Sequence, residues 1–426
     1  MKRGDEVTVP IQSLSARGDG VGDVEGVEVH VAGAFAGERV RARVDDLSRH
    51  HPRAFATLVV VIEPHPERRN PPCHRHVARE GKCTGCPLMA LSARSQRELE
   101  VARAKGLGLP IEGAMRGGAE LGYRYSSKRA AGGRPGRLFL GSYVRGSHRV
   151  ADMRGCLVDH PRITEVADAI AVAASDLNVA PFKKGRGDLR YVWLKTDGER
   201  VLATLITASE ESRGPEIAQR LEGLCAFAWS VQPSEGNAIR GDAPRILGGA
   251  ATLEVPIAGR TTTVGPLGFL QPNPAVAGEA YAALVRDAAG QPLSGRLALD
   301  LYAGAGVTTA MLREGFEEVI PCEAYPESAR ALGVEPERAA PFLARLADRE
   351  VDLIVANPPR AGLGDDVCAA LVAHPPARLH VMSCDADSLA RDLAALAERF
   401  VVERVVAFDT LPQTPHVELV AHLVRR

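Results

Sequence analysis

Apolar residues fall on every second position in short runs along the first sixty residues: Val7-Thr8-Val9-Pro10-Ile11, Val27-Glu28-Val29-His30-Val31, Val40-Arg41-Ala42-Arg43-Val44 and 55–61, with Gly18-Asp19-Gly20-Val21-Gly22 among them. Strict alternation puts one set of side chains on one face of a strand. Five such strands separated by Gly and Asp turns predict a small β-barrel over residues 1–63. After Pro292 the pattern changes. Residues 297–301, 351–356 and 379–382 are nearly continuous apolar runs, each followed by a glycine-rich or polar turn. Strands without alternation are covered on both faces, as in the parallel sheet of an α/β domain. Between these regions, 189–194 and 201–207 read as strands and 90–105 as a helix that stops at Gly106 and Gly108. The expected organisation is multidomain α/β: a barrel over 1–63, a mixed, mostly β domain over 64–270, and a Rossmann-like α/β domain over 271–426, with the 90–105 helix packing on the last.

Composition narrows this picture. Hydrophobic content of 45% and charged content of 25% are ordinary for a globular protein. No uncharged apolar run reaches the length of a membrane span. Met1-Lys2-Arg3-Gly4-Asp5-Glu6 does not lead into the apolar core of a signal peptide, so a cytoplasmic protein is expected, and its eight cysteines are not expected to form a disulfide framework. Net charge is −1, yet 116–150 carries eight Lys and Arg against Glu120 alone, with Tyr123, Tyr125 and Tyr143 interleaved. Rings among cations suit single-stranded RNA, which makes Tyr123, Arg124, Lys128 and Arg129 candidate RNA contacts. A solvated sheet face with rim tyrosines has the same composition.

Cysteines supply the candidate chemistry. Cys73, Cys83 and Cys86 lie within fourteen residues, and Cys156 is the nearest remaining thiol. In a reducing compartment such a group points to a metal: an iron–sulfur cluster, a zinc ion, or bare thiols. Cys384 stands where the 379–382 strand gives way to a helix whose face carries Leu389, Leu393, Leu396 and Phe400, with Asp385 or Asp387 as its cap. A helix N-terminus lowers a thiol pKa, so Cys384 is a candidate nucleophile; a buried structural cysteine is the bland alternative. Asp300, Gly304-Ala305-Gly306 and Glu323 follow the order of a nucleoside-binding strand, turn and acid. Lacking a complete GxGxxG, the stretch fits S-adenosylmethionine better than a dinucleotide. Glu418 heads an apolar final strand, where desolvation would raise its pKa and make it a candidate base; an edge-strand acid is the alternative reading.

Taken in order, Asp300-Leu301-Tyr302-Ala303-Gly304-Ala305-Gly306, Asn357-Pro358-Pro359-Arg360-Ala361-Gly362-Leu363, Ser383-Cys384 through Arg391-Asp392 and Gln413-Thr414-Pro415-His416-Val417-Glu418 resemble the RNA 5-methyluridine methyltransferases, nearly end to end. Ala32-Gly33-Ala34-Phe35-Ala36-Gly37-Glu38-Arg39-Val40 resembles the signature of the TRAM domain, an OB-like RNA-binding barrel. Barrel and cysteines together resemble the bacterial branch that methylates 23S ribosomal RNA. The resemblance implies a monomeric enzyme in which Cys384 is nucleophile and Glu418 base. By the same likeness Gln271, Tyr302, Glu323 and Asn357 contact the methyl donor beside Gly304 and Gly306, and Cys73, Cys83, Cys86 and Cys156 hold a [4Fe–4S] cluster. This chain departs from the family in Asn357, where Asp is usual, in Asp385-Ala386 beside the thiol, and in a short stretch between Glu323 and Asn357. An exocyclic-amine methyltransferase and a non-catalytic RNA-binding iron–sulfur protein are the competing readings.

Overall fold

The computed structural model describes residues 1–79, 82–234, 236 and 238–426. Its N-terminal sheet is built from β1 (Glu6–Pro10), β2 (Ser13–Leu14), β3 (Gly20–Val24), β4 (Val27–Ala32), β5 (Arg39–Leu47) and β6 (Arg53–Glu63), in the order β1-β5-β6-β4-β3-β2. The sheet curls until β3 meets the end of β1: the Val21 carbonyl accepts the Gln12 N–H at 2.8 Å. Gly22 is required at that closure, since a Cβ there would stand 2.1 Å from the Pro10 carbonyl oxygen. The alternating valines line its core, with Val9, Val29, Val31 and Val40 wholly buried.

Residues beyond Glu63 do not go directly to the second sheet. Helix α1 (Ala93–Gly106), capped by Ser92, and the short β7 (Arg116–Gly117) belong with the C-terminal sheet, which β7 joins as an edge strand parallel to Phe408 and Asp409. The central sheet contains β8 (Ser126–Arg134), β9 (Arg137–Tyr143), β10 (Val150–Asp152), β11 (Leu189–Thr196), β12 (Val201–Thr207), β13 (Ala226–Val231) and β14 (Arg245–Gly248), with α2 (Pro161–Asp176) and α3 (Gly214–Arg220) on one face. Its order is β10-β9-β8-β11-β12-β13-β14, antiparallel except for the β12–β13 pair.

The hairpin of β15 (Leu253–Ile257) and β16 (Arg260–Val264) and helix α4 (Pro274–Leu284) pack on the C-terminal sheet through Leu253, Val255, Val276 and Leu284. The C-terminal core thus begins ahead of residue 271, the boundary expected from the sequence, because the hairpin's alternating apolar face is buried there. That sheet comprises β17 (Gly295–Leu301), β18 (Phe316–Cys322), β19 (Leu353–Ala356), β20 (Arg378–Ser383), β21 (Phe400–Asp409) and β22 (Glu418–Arg425). Helices α5 (Val307–Leu312), α6 (Pro326–Leu332), α7 (Ala339–Arg345), α8 (Asp365–Ala373) and α9 (Ala386–Leu396) connect them. The order is β18-β17-β19-β20-β22-β21-β7. β17, β18, β19 and β20 run parallel, and β22 runs antiparallel to both its neighbours. The chain leaves β17 to one side for β18 and returns on the other for β19, which opens a crevice at their carboxyl ends. Leu389, Leu393 and Leu396 bury the inner face of α9, each worth about 2 kcal/mol. Phe400, expected on that helix face, instead opens β21, because the helix ends at Leu396. Among the described residues no helix is long and apolar enough to cross a membrane.

Candidate active site

The ends of β17, β18, β19 and β20 and the head of β22 feed one cavity. At the end of β17, Asp300 is buried and accepts the Thr309 hydroxyl at 2.5 Å, which fastens α5 to the strand; burial pushes the Asp300 carboxyl up to about 7. Tyr302 follows in a left-handed backbone conformation (φ +61°), which few non-glycine residues adopt. The Gly304 N–H then donates to Glu323 Oε2 at 2.8 Å, and the Tyr325 N–H donates to Oε1 of the same carboxylate at 2.6 Å. Glu323 therefore shapes the turn and keeps lone pairs free toward the cavity. Gly304, Tyr302, Glu323, Gln271 and Asn357 all line it. Gly306 does not. It caps α5, and a Cβ there would lie 2.6 Å from Leu332, so its part is to let helix and turn pack.

Beyond β19, Asn357 opens a loop that doubles back at Gly362 (φ +88°). Asp392 of α9 accepts the Leu363 N–H at 2.8 Å and sits so close that a Cβ on Gly362 would be 2.4 Å from its Oδ2. Beyond β20 comes Cys384, half-buried and lining the same cavity. The lowered thiol pKa expected from the helix N-terminus does not hold. Asp385 is the N-cap of α9 and its carboxylate accepts the Ser388 N–H at 2.9 Å, so a carboxylate occupies that terminus. Burial pushes the Cys384 thiol up, Glu418 adds to the effect, and Arg360 pulls against it. Arg360 also lies 3.3 Å from Asp385.

Glu418, the first residue of β22, enters the cavity from the antiparallel strand beside β20. It is 6% exposed, and burial alone pushes its carboxyl up to about 8, the direction expected for an acid at the head of an apolar strand. Among the described residues no cation pairs with it. A thiol and a carboxyl that titrates near neutrality thus share one cavity with a turn suited to a nucleoside.

Sequence reading missed several contributors. Thr308 lines the cavity beside Thr309, and Arg240 reaches it from the central region, stacked 4.5 Å from the Tyr325 ring. Neither residue stands in a local pattern that marks it.

The candidate RNA face is corrected. Tyr123 is buried and donates its hydroxyl to the Pro412 carbonyl at 2.8 Å. Arg129 is wholly buried, 2.7 Å from Asp159 and 3.8 Å from Asp168. Arg124 stands 3.8 Å from the same Asp159 and is one-quarter exposed. Only Lys128 of the four is exposed, over the Trp193 ring at 4.1 Å. The acids that neutralise the stretch lie thirty or more residues downstream, outside any local charge count.

A second, smaller cavity gathers Cys73, Cys83, Cys86 and Cys156 with Met89, Met153 and Val158. The His76 ring and the Cys86 carbonyl meet at 3.0 Å, and the Val77 N–H donates to the Cys83 carbonyl at 3.1 Å, which folds the loop over the thiols. Among the described residues no three His, Cys, Asp or Glu side chains converge closely enough to hold a single metal ion.

Comparison with known proteins agrees with this arrangement. A family model described as tRNA (Uracil-5-)-methyltransferase matches residues 341–426. An uncharacterized RNA methyltransferase of Geobacter sulfurreducens is 31% identical over 459 residues, covering 100% of this chain and 91% of the relative. One from Gloeobacter violaceus is 30% identical over 459 residues, covering 99% of this chain and 97% of the relative. The crystal structure of Pyrococcus abyssi tRNA (uracil-54, C5)-methyltransferase in complex with S-adenosyl-L-homocysteine superposes with a TM-score of 0.77 over 98% of this chain and 99% of that one, at 22% identity, and so has the same fold.

Proposed function

Because this chain belongs to the family of RNA uracil-5 methyltransferases, whose reaction is S-adenosylmethionine-dependent methylation of uracil C5 in RNA, we propose that its substrate is a uridine of 23S ribosomal RNA, with Cys384 as nucleophile and Glu418 as base. The observation that carries the residue assignment is their meeting in one cavity with the Gly304 turn. Uracil C5 is too weak a nucleophile to take a methyl group unaided. As thiolate, Cys384 adds through sulfur to C6, and the displaced electron pair is placed on C5. When bound, the donor supplies a methyl carbon on a sulfonium that leaves as a neutral thioether. Gln271, Tyr302, Gly304, Glu323 and Asn357 would hold and orient it, with Gly306 keeping the turn in shape. Once C5 carries the methyl group, Glu418 takes the C5 proton. The electron pair of that C–H bond re-forms the C5–C6 double bond, and the C6–S bond breaks to release the Cys384 thiolate. A uridine stacked in RNA cannot reach the cavity, so the nucleotide must flip out, and exposed Lys128 and the N-terminal barrel, which we read as a TRAM domain, would hold its flanks.

The four-thiol cavity supports a [4Fe–4S] cluster on Cys73, Cys83, Cys86 and Cys156. Four thiols line it with Met89, Met153 and Val158; His76 lines it too, but its ring nitrogens are engaged by the Cys86 carbonyl at 3.0 Å and the Ala78 N–H at 3.1 Å, and among the described residues no group of three or more His, Cys, Asp or Glu side chains suits a single zinc ion. Such a cluster would cross-link the 73–86 loop to the segment after β10. Iron and acid-labile sulfide assays on anaerobically prepared protein test it, and loss of both in a Cys86→Ala variant is expected.

The substrate is tested by offering 23S rRNA and transfer RNA transcripts with methyl-labelled donor and mapping the product. Label in 5-methyluridine of 23S rRNA is expected. Label confined to transfer RNA would overturn the substrate reading and favour the activity named for the Pyrococcus abyssi protein.

A further inference from the structure

The segment that delivers Glu418 takes its shape from outside its own sheet. Gln413 is wholly buried, with a left-handed backbone (φ +74°) that a non-glycine residue adopts only when its surroundings impose it. All four of its polar groups are engaged. Its N–H donates to Gln96 Oε1 at 2.9 Å, and its carbonyl accepts the Leu88 N–H at 3.1 Å. Its Oε1 accepts from Gln96 Nε2 at 2.8 Å, and its Nε2 donates to the Glu120 carbonyl at 3.3 Å. Next to it, the Pro412 carbonyl accepts the Tyr123 hydroxyl at 2.8 Å. Every one of these partners lies between residues 88 and 123.

That stretch leads directly out of the cysteine loop. The Met89 N–H donates to the Cys86 carbonyl at 3.1 Å. Met89, Tyr123 and Val158 pack together against Cys73, Cys86, Cys156 and Leu411, so the thiol cavity and the 409–418 segment share one small core. The barrel reaches the same place: a Cβ on Gly18 would stand 3.3 Å from Leu88 and 3.4 Å from Pro415. Gln96 itself is fixed by donating to the Leu91 carbonyl at 2.9 Å.

We infer that Gln413 is a positioning residue through which the four-cysteine segment sets the placement of Glu418. The inference rests on the reading of Glu418 as the base. It explains why a group remote from the thiol cavity would depend on it: hydrogen bonds join the thiol-bearing loop to Met89 and Leu88 to Gln413, and Glu418 stands five residues along the chain from Gln413. The step that suffers when the chain is broken is removal of the C5 proton, because addition by Cys384 and methyl transfer precede it.

The test uses the full chain, methyl donor and the natural-uridine transcript that gains methyl groups in the assay above. Turnover and the covalent RNA–protein adduct on denaturing gels are followed for Gln413→Gly, which keeps the left-handed backbone without strain, and for Gln96→Ala, which leaves Gln413 itself in place. Glu418→Gln is the control. Turnover is expected to fall by about 10²-fold in the Gln413→Gly variant, as for misplacement of a catalytic group by about an ångström, while a methylated adduct accumulates severalfold above wild type. A loss of turnover with a proportional loss of adduct, or unchanged turnover, overturns the inference. Should Gln413→Gly fail to fold, Gln96→Ala decides by the same readout. If Glu418→Gln itself accumulates no adduct, the base assignment falls instead.

Discussion

The two reactive groups share a cavity but are held in different ways. Cys384 is fixed by its immediate surroundings: Ser383 Oγ donates to the Asp385 carbonyl at 3.0 Å, Asp385 caps α9, and Asp392 grips the turn at Gly362. Apart from the Arg103–Asp387 ion pair, these contacts lie between residues 357 and 392. Glu418 comes from a segment tied to Gln96, Leu88, Glu120 and Tyr123, with Arg97 3.7 Å from Asp409 at its start. On the proposed assignment, a nucleophile placed by local structure beside a base placed by tertiary structure means that the two halves of the reaction can be disturbed separately.

The largest separation is expected from the reactive groups themselves. Cys384→Ala should give neither adduct nor product, whereas Glu418→Gln should lower turnover by about 10²–10⁴-fold and still form the methylated adduct; gel analysis after a single turnover distinguishes them. Loss of adduct in Glu418→Gln would mean that the halves are not separable.

Next in size is the pH dependence of adduct resolution. Glu418 accepts a proton only as carboxylate, and burial holds its carboxyl at about 8. Resolution should therefore slow about tenfold for each pH unit below 8 and level off above it, in quench-flow measurements that follow the adduct. A profile flat from pH 6 to 9 would show that another group removes the proton.

A smaller effect is expected at Gly362. Alanine there meets both the positive φ of +88° and the Asp392 carboxylate. It should cost about 1–3 kcal/mol of stability and slow adduct formation more than resolution, since the loop it distorts belongs to the Cys384 side.

The smallest concerns the outer clamp. Glu100 of α1 is buried with both carboxylate oxygens unpaired, and burial pushes it up to about 8. Its folded-state value lies above the ordinary 4.5, so the stability it contributes is whole below that value and lost as pH rises to about 8. Asp409 at about 6 and Asp300 at about 7 act in the same sense. The melting temperature should fall from pH 6 to pH 9, and Glu100→Gln should flatten that fall, raising Tm at the alkaline end by about 2 °C. A steeper fall in the variant would contradict the assignment.

The same contrast explains what could be read from the amino-acid sequence. Cys384, the Asp300–Gly304 turn and the head of β22 announce themselves because strand, turn and helix signals are local and periodic. The barrel strands follow for the same reason; the two-residue β2 is too short to carry a pattern. The Gln96–Gln413 clamp joins residues 317 apart in sequence, and two glutamines carry no periodicity. Tyr123 and Arg129 were expected at the surface because counting cations ignores Asp159, which folding brings against Arg129. The thiol pKa of Cys384 runs against the helix-terminus expectation chiefly because tertiary packing buries the thiol and brings Glu418 toward it, neither of which is legible locally.

The central claim is that Cys384 attacks uracil C6. Incubation with methyl donor and 23S rRNA substituted with 5-fluorouridine tests it most directly, since fluorine at C5 cannot leave as a proton and the adduct cannot resolve. A stable RNA–protein adduct whose cross-linked peptide contains Cys384 is the predicted result. Adduct on another residue, or none while natural RNA is methylated at uracil C5, would contradict it.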